Sequence, residues 1–266
     1  MSGKAHFTSG EHQHPLIEGP LTALSWLTVL PIRGADVYDR VTGTRVMLSL
    51  PLVGALFGCI SALLALAFSA LGVSSLLGAV IILLGWELAN RFMHLDGLSD
   101  MADALGSYAD SAKARLILDD PHTGSMGAAA IVLVFMTEVA AMSTMLELSY
   151  PLLLGLAPWA SRICTMVPCL TRFSPIRPTG FGGLIIGTIK PLALALWSLI
   201  FVLVALCIQP SWVIMLAYGG SIGISYVLSR YCDHRLAGLN GDACGFIQQV
   251  SQASFLLITS LGLSLI

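Results

Sequence analysis

Long apolar runs dominate this chain, and the polar connections between them alternate between long and very short. Seven stretches read as helices that cross a bilayer: 46–70, 75–93, 127–147, 150–170, 190–208, 212–229 and 246–266. A hydrocarbon core about 30 Å thick takes roughly 20 residues of helix, and backbone in lipid has only itself to bond to. The run from Leu21 to Ile32 is shorter and reads as an interfacial or re-entrant helix. The pattern predicts an all-α, polytopic membrane helical bundle of about seven transmembrane helices plus a short N-terminal interfacial helix. Residues 21–266 form one integral-membrane unit behind a disordered polar tail at 1–20. That tail has no apolar h-region, so no cleavable signal peptide is expected. His6, His12 and His14 read as tail residues rather than as a metal site.

Composition agrees. Hydrophobic residues make up 56% and charged residues 11%, against about 25% charged in a soluble domain, and mean hydropathy is +0.85. An ordinary soluble enzyme and a disordered chain are excluded. The net charge of −2 argues against a nucleic-acid partner. The lipid bilayer is the partner the pattern implies, and a homo-oligomer stays open. The cysteines at 59, 164, 169, 207, 232 and 244 form no CxxC pair and read as small buried hydrophobes.

Charge then orients the bundle. The connections near 71–74, 148–149 and 209–211 hold no Lys or Arg. The others hold Lys4, Arg33, Arg40 and Arg45, then Arg91, Lys113 and Arg115, then Arg172, Arg177 and Lys190, then Arg230 and Arg235. By the positive-inside rule, the loops 94–126, 171–190 and 230–245 are cytoplasmic, and the chain ends outside at Ile266. A multi-pass protein of the cell membrane with its chemistry facing the cytoplasm is expected.

The loop after the second span reads HLDGLSDMADALGS over 94–107. Asp96, Asp100 and Asp103 recur at i, i+4 and i+7, on one face of a helix. Like charges so placed repel, and a cation among them removes the conflict. Mg²⁺ suits the position, since it is held by one or two carboxylates, waters and substrate phosphates; the bland alternative is a solvated acidic stretch. Asp110 reads as an N-cap for SAKARLIL. In DDPHTGSMG, over 119–127, Gly124 and Gly127 either let backbone amides approach a phosphate or simply lead into a helix. Glu87 and Arg91 stand at i, i+4 and are placed to pair. Glu138 and Arg162 lie within spans, where charges mark function. Arg162 pairs either with Glu138 or with a substrate phosphate. In the loop 230–245, Asn240-Gly241-Asp242 is a turn signature; Asp242 is a metal or base carboxylate, or a helix cap.

HLDGLSDMADALGS closely resembles the HxDGLADTADG-type signature of the cobalamin synthases, the adenosylcobinamide-GDP ribazoletransferases. LTALSWLTVLPIRG, DDPHTGSMGAAAIVLVF and GLNGDACGFIQQVSQ are similar, in order, to that family's other segments. The resemblance covers the chain from about residue 20. Asp96, Asp100, Asp103, Asp120, Gly124, Gly127, Gly241, Asp242 and Gly245 match. Asp119 and His122 stand where the family carries basic residues, and Gln249 and Gln252 where it carries Glu.

The resemblance implies a Mg²⁺-dependent phosphotransferase acting on adenosylcobinamide-GDP and α-ribazole (or its 5′-phosphate). It releases GMP and gives adenosylcobalamin (or its phosphate), the last step of nucleotide-loop assembly. It implies Mg²⁺ on Asp96, Asp100 and Asp103, with substrate near Gly124, Gly127 and Gly241. Arg162 is expected as a further positive charge, and Asp120, Asp242 or His94 as proton acceptor. A CDP-alcohol phosphotransferase is the nearer alternative, but its D-x2-D-G-x2-A-R pattern is missing here. A cation transporter using the Asp cluster is the other, and transporters place ion sites near the midplane.

Overall fold

The computed structural model describes Thr8 and residues 10–265. The expectations for Lys4, His6 and Ile266 lie outside the described residues. The bundle is all α, and the bridges Thr8–Tyr38, Leu170–Ile189 and Pro175–Leu239 are isolated pairs.

Among the described residues, five helices are long and apolar enough to cross a membrane. They are α2 (Arg40–Ala70), α6 (Ser125–Glu147), α9 (Pro191–Ile208), α10 (Trp212–Leu236) and α11 (Gly241–Leu263). A sixth is counted if α3 (Ser75–Ala89) and α4 (Met93–Gly106) are one span bent by 89°. The bend falls at Arg91 and Phe92, which take left-handed backbone with φ of 57° and 55°. The expected span 75–93 therefore stops at Ala89, and the expected loop 94–126 opens with a helix. The eight-residue α5 (Ser111–Leu118) follows, capped by Asp110 onto the Lys113 amide at 2.8 Å, as its sequence predicts.

The expected span 150–170 is not a membrane-length helix. It is a 3₁₀ turn at Pro151–Gly155, then the nine-residue α7 (Leu156–Cys164), then turns to Leu170. Pro151, Pro158 and Pro168 explain the breaks, since each lacks an amide donor for the helical ladder. The segment runs antiparallel to α2: Gly155 abuts Gly58, Pro158–Arg162 abuts Gly54, and further on Leu184 abuts Gly43. Residues 153–170 are almost all buried. Irregular backbone at membrane depth is tolerated only inside protein, and that is its position here. A short α8 (Gly180–Ile185) closes the next loop.

Helix α1 (Pro15–Leu27) starts inside the stretch expected to be a disordered tail. Its Glu18 is buried and accepts from the Gln13 amide at 2.6 Å and Arg45 at 2.9 Å. His12, expected to be free, bridges Glu18 and Asp39 at 3.1 Å each. A buried carboxylate with these partners ties α1 to α2, and no apolar pattern announces such a tether.

The outward faces of the long helices are apolar; α9 exposes Leu192, Leu196, Leu199 and Leu203. Water would not tolerate a continuous surface of this kind, and a bilayer does. The charged connections meet one another at one end of the bundle. Arg40 donates to the Gly183 and Ile186 carbonyls, Arg115 to Leu236, and Arg235 to Ala109. The Ile176 amide bonds the Leu239 carbonyl at 2.8 Å.

Candidate active site

Helix α4 packs on α11 and α6 at that charged end. The approach to α11 is close because Gly97 and Gly245 lack side chains. A Cβ on Gly97 would sit 2.7 Å from the Asp242 carbonyl oxygen, and one on Gly245 would sit 3.2 Å from the His94 Cα. Two glycines thus press the acidic face of α4 against the start of α11. Asn240 caps α11 through the Ala243 amide at 3.0 Å, so Asp242 is not the cap. It stands in the first turn, where Asn240 donates to it.

Asp96 is exposed and Asp100 half-buried. Asp100 lies within the fields of Asp96, Asp103 and Asp242. Among the described residues neither the Asp96 nor the Asp100 side chain has a hydrogen-bond partner or an ion pair. Asp103 differs. Its two carboxylate oxygens accept from the Gly124 amide at 2.7 Å and the Gly127 amide at 2.9 Å. It thereby caps α6, whose N-cap Gly124 has no side chain to do so. This corrects two expectations: the Gly124 and Gly127 amides are bonded to Asp103 rather than offered to phosphate, and Asp103 is the cap of a neighbouring helix.

Among the described residues no group of three His, Cys, Asp or Glu side chains closes into a metal cage. That excludes a site of the closed structural type. It leaves room for Mg²⁺, which needs one or two carboxylates and otherwise keeps waters and substrate phosphate oxygens. Asp96 and Asp100 fit that demand, being one helical turn apart on the same face of α4 and without side-chain partners among the described residues.

Beside them lies a cavity of about 240 Å³. Asp96, Asp242 and Gly241 line it together with His94, and its other walls include Leu27, Met47, Leu50, Phe181 and Ile185. A second cavity, of about 250 Å³, shares Phe181, Gly241 and Asp242 with the first and adds Arg115 and Arg177. Arg177 pairs with Asp119 there. Sequence reasoning missed the Thr179–Gly183 segment, which walls the second cavity and reaches the first through Phe181. Its only signal is a Phe flanked by glycines inside a charged loop.

Asp120 stays outside this arrangement. It is exposed and bonds its own turn, accepting from the His122 amide at 3.0 Å and lying 2.7 Å from the His122 ring. The His122 side chain holds its carboxyl below the usual range, the wrong direction for a proton acceptor. Arg162 is also elsewhere. It is 1% exposed, donates to the Pro158 carbonyl and to Asn90, and lies 4.7 Å from the Phe57 ring. It reaches neither cavity, so the expectation of a substrate contact is corrected. The alternative partner, Glu138, is corrected too: Glu138 accepts from Gln252 at 3.1 Å. Glu87 accepts from Gln249 at 2.7 Å, not from Arg91, which donates to the Trp26 carbonyl. The left-handed turn at Arg91 removes the i, i+4 geometry. The two glutamines therefore serve as amide donors to buried carboxylates.

The fold and site are those of a polytopic membrane protein with an acidic helix face meeting a cavity at one end of the bundle. Comparison with known proteins makes this specific. The family model for cobalamin-5-phosphate synthase matches residues 19–260. An adenosylcobinamide-GDP ribazoletransferase of Corynebacterium diphtheriae is 39% identical over the whole of both chains. One of Corynebacterium efficiens is 43% identical over 92% of each, and one of Corynebacterium glutamicum 46% identical over 75% of this chain and 69% of its own. No solved structure matches. The chain belongs to the cobalamin-5-phosphate synthase family, a family of transferases.

Proposed function

We propose that this chain joins adenosylcobinamide-GDP to α-ribazole (or its 5′-phosphate) at the cytoplasmic face of the cell membrane. The relatives' names supply the reaction. The observation that carries it to this chain is the meeting of Asp96 on α4 with Asp242 on α11 in the lining of one cavity, with Asp100 beside them within the fields of both.

A ribose ring hydroxyl, free in α-ribazole and in its 5′-phosphate alike, attacks the phosphorus that bears the cobinamide arm. A new P–O bond forms, the P–O bond to GMP breaks, and GMP leaves with the electron pair. Such a transfer asks for positioning and charge neutralisation rather than covalent help. Asp96 and Asp100 would hold Mg²⁺, which would offset the diphosphate charge and favour departure of the phosphate. Asp242 takes the hydroxyl proton, since it lines the cavity beside Asp96. Asp103 acts through position, fixing the start of α6 against α4. Arg115 and Arg177 line the neighbouring cavity, where their positive charge would favour the leaving nucleotide. A transporter reading is disfavoured because the carboxylates gather at the charged end of the bundle and not at mid-span.

The test is release of GMP from adenosylcobinamide-GDP by the purified protein with α-ribazole and Mg²⁺. Turnover is expected to stop with chelator and to fall at least about 100-fold in Asp96→Asn or Asp100→Asn. No GMP from the wild type overturns the reaction; near-normal turnover in both variants overturns the metal assignment.

A further inference from the structure

One wall of the cavity beside Asp96 is a thiol. Cys244, in the first turn of α11, lines it two residues on from Asp242. Its sulfur lies 3.9 Å from that of Cys169, in the turns after α7. Among the described residues no other two thiols make such a contact. The two stand 75 residues apart in the chain, so spacing is silent about the pair. They are unequally placed. The cavity includes the exposed Asp96 in its wall, and a small solute that enters it meets Cys244. Cys169 is 0% exposed and lines neither cavity of the site. Its carbonyl accepts from the Ile189 amide at 2.9 Å and its amide donates to the Met166 carbonyl at 3.2 Å, which fixes the turn that carries it.

A thiol sealed in protein is inert, whereas a reachable thiol beside a second one is the arrangement of a redox sensor. In a reducing cytoplasm a disulfide is transient and regulatory rather than structural. We infer that Cys244 and Cys169 are a peroxide-reactive dithiol whose closure to a disulfide gates the site at Asp242. Hydrogen peroxide is small and uncharged enough to enter the cavity. The Cys244 sulfur attacks one of its oxygens, the O–O bond breaks, and the thiol proton leaves with the other oxygen as water. Cys244 is then a sulfenic acid. The Cys169 sulfur attacks the Cys244 sulfur, an S–S bond forms, the S–O bond breaks, and the Cys169 proton leaves with the hydroxyl as a second water. Two thiols lose two electrons, and one peroxide becomes two waters. Closure draws the sulfurs from 3.9 Å to about 2.05 Å. With the Cys169 turn fixed by its backbone bonds, the start of α11 moves and carries Asp242 with it. A displacement near 1 Å at reacting groups costs on the order of 100-fold. The effect on turnover rests on the reaction proposed above; the disulfide itself does not.

The test treats the purified full chain with hydrogen peroxide and maps its peptides by mass. The parent chain has the exposed Cys59 and Cys207 replaced by Ala, which removes links between molecules. The expected product is a Cys169–Cys244 linked peptide two hydrogens lighter than its parts, returned to thiols by dithiothreitol. Dimedone, which traps sulfenic acids, is expected to label Cys244 in Cys169→Ala and to leave Cys169 unlabelled in Cys244→Ala. Two thiols that merely pack together give no such order. GMP release by the linked protein is expected to fall at least about tenfold and to recover with dithiothreitol, while Cys244→Ala keeps its own rate through the same treatment. No linked peptide in the parent chain overturns the inference, and so does a link from Cys244 to the buried Cys232 in its place. A linked protein that turns over as fast as the reduced one overturns the gate. A chain that links as described but releases no GMP in either state sinks the proposed reaction and not the dithiol.

Discussion

Asp103 shows how much one side chain's partners change its role. Its spacing from Asp96 and Asp100 places it on their face, yet both its oxygens are bonded to amides at the start of α6. Asn at 103 offers one acceptor and turns an NH₂ toward the other amide. Asp103→Asn is therefore expected to lower stability by about 1–2 kcal/mol, as for the loss of a helix cap, with part of the activity retained and the Mg²⁺ requirement unchanged. Thermal unfolding in detergent and a Mg²⁺ titration of turnover check this. A raised Mg²⁺ requirement at unaltered stability would return Asp103 to the metal. Asp96 and Asp100 were legible in the sequence because helical periodicity is local. The Asp103 contacts were not, because their partners lie 21 and 24 residues away and spacing is silent about distant amides. Arg162 and Glu138 were legible as buried charges but not in their pairing, because their side-chain partners, Asn90 and Gln252, lie 72 and 114 residues away.

At the scale of elements, the contact between α4 and α11 sets the distance between Asp242 and the two unpartnered carboxylates. Gly97 is the residue that permits it. A methyl group there meets the Asp242 carbonyl oxygen at 2.7 Å and its Cα at 3.1 Å, both backbone atoms that do not swing aside. Gly97→Ala must spread the helices, and a displacement near 1 Å at reacting groups costs on the order of 100-fold. The expected outcome is a fall of that size in kcat with smaller changes in KM. Gly85→Ala is the control: a Cβ at Gly85 in α3 meets nothing within 4 Å. Activity in Gly97→Ala equal to that control would show that the α4–α11 distance does not matter. The long helices themselves were legible, because 18 or more apolar residues in a row have few other fates. The stretch 150–170 was misread for the same reason. A buried segment inside a bundle and a lipid-facing span are equally apolar, and only its prolines mark the difference.

For the whole molecule, the alternation of charged and uncharged connections anticipated which loops meet. The loops carrying Arg40, Arg115, Arg177 and Arg235 touch one another through backbone carbonyls and Asp119. The membrane field and the translocation machinery act on Lys and Arg near span ends, so the positive-inside rule expects the cluster on the cytoplasmic side even though several connections are helices rather than loops. Ser107 ends α4 at the charged side, and Ser211 caps α10 at the far one. The decisive measurement is single-cysteine labelling in a chain whose exposed Cys59 and Cys207 are replaced by Ala. With a membrane-impermeant maleimide on intact cells, Ser211→Cys should react at once and Ser107→Cys only after the membrane is opened. Reaction of both from outside would place the acidic face of α4 away from the cytoplasm. It would also deny the site its supply of nucleotide substrate and overturn the orientation on which the proposed reaction depends.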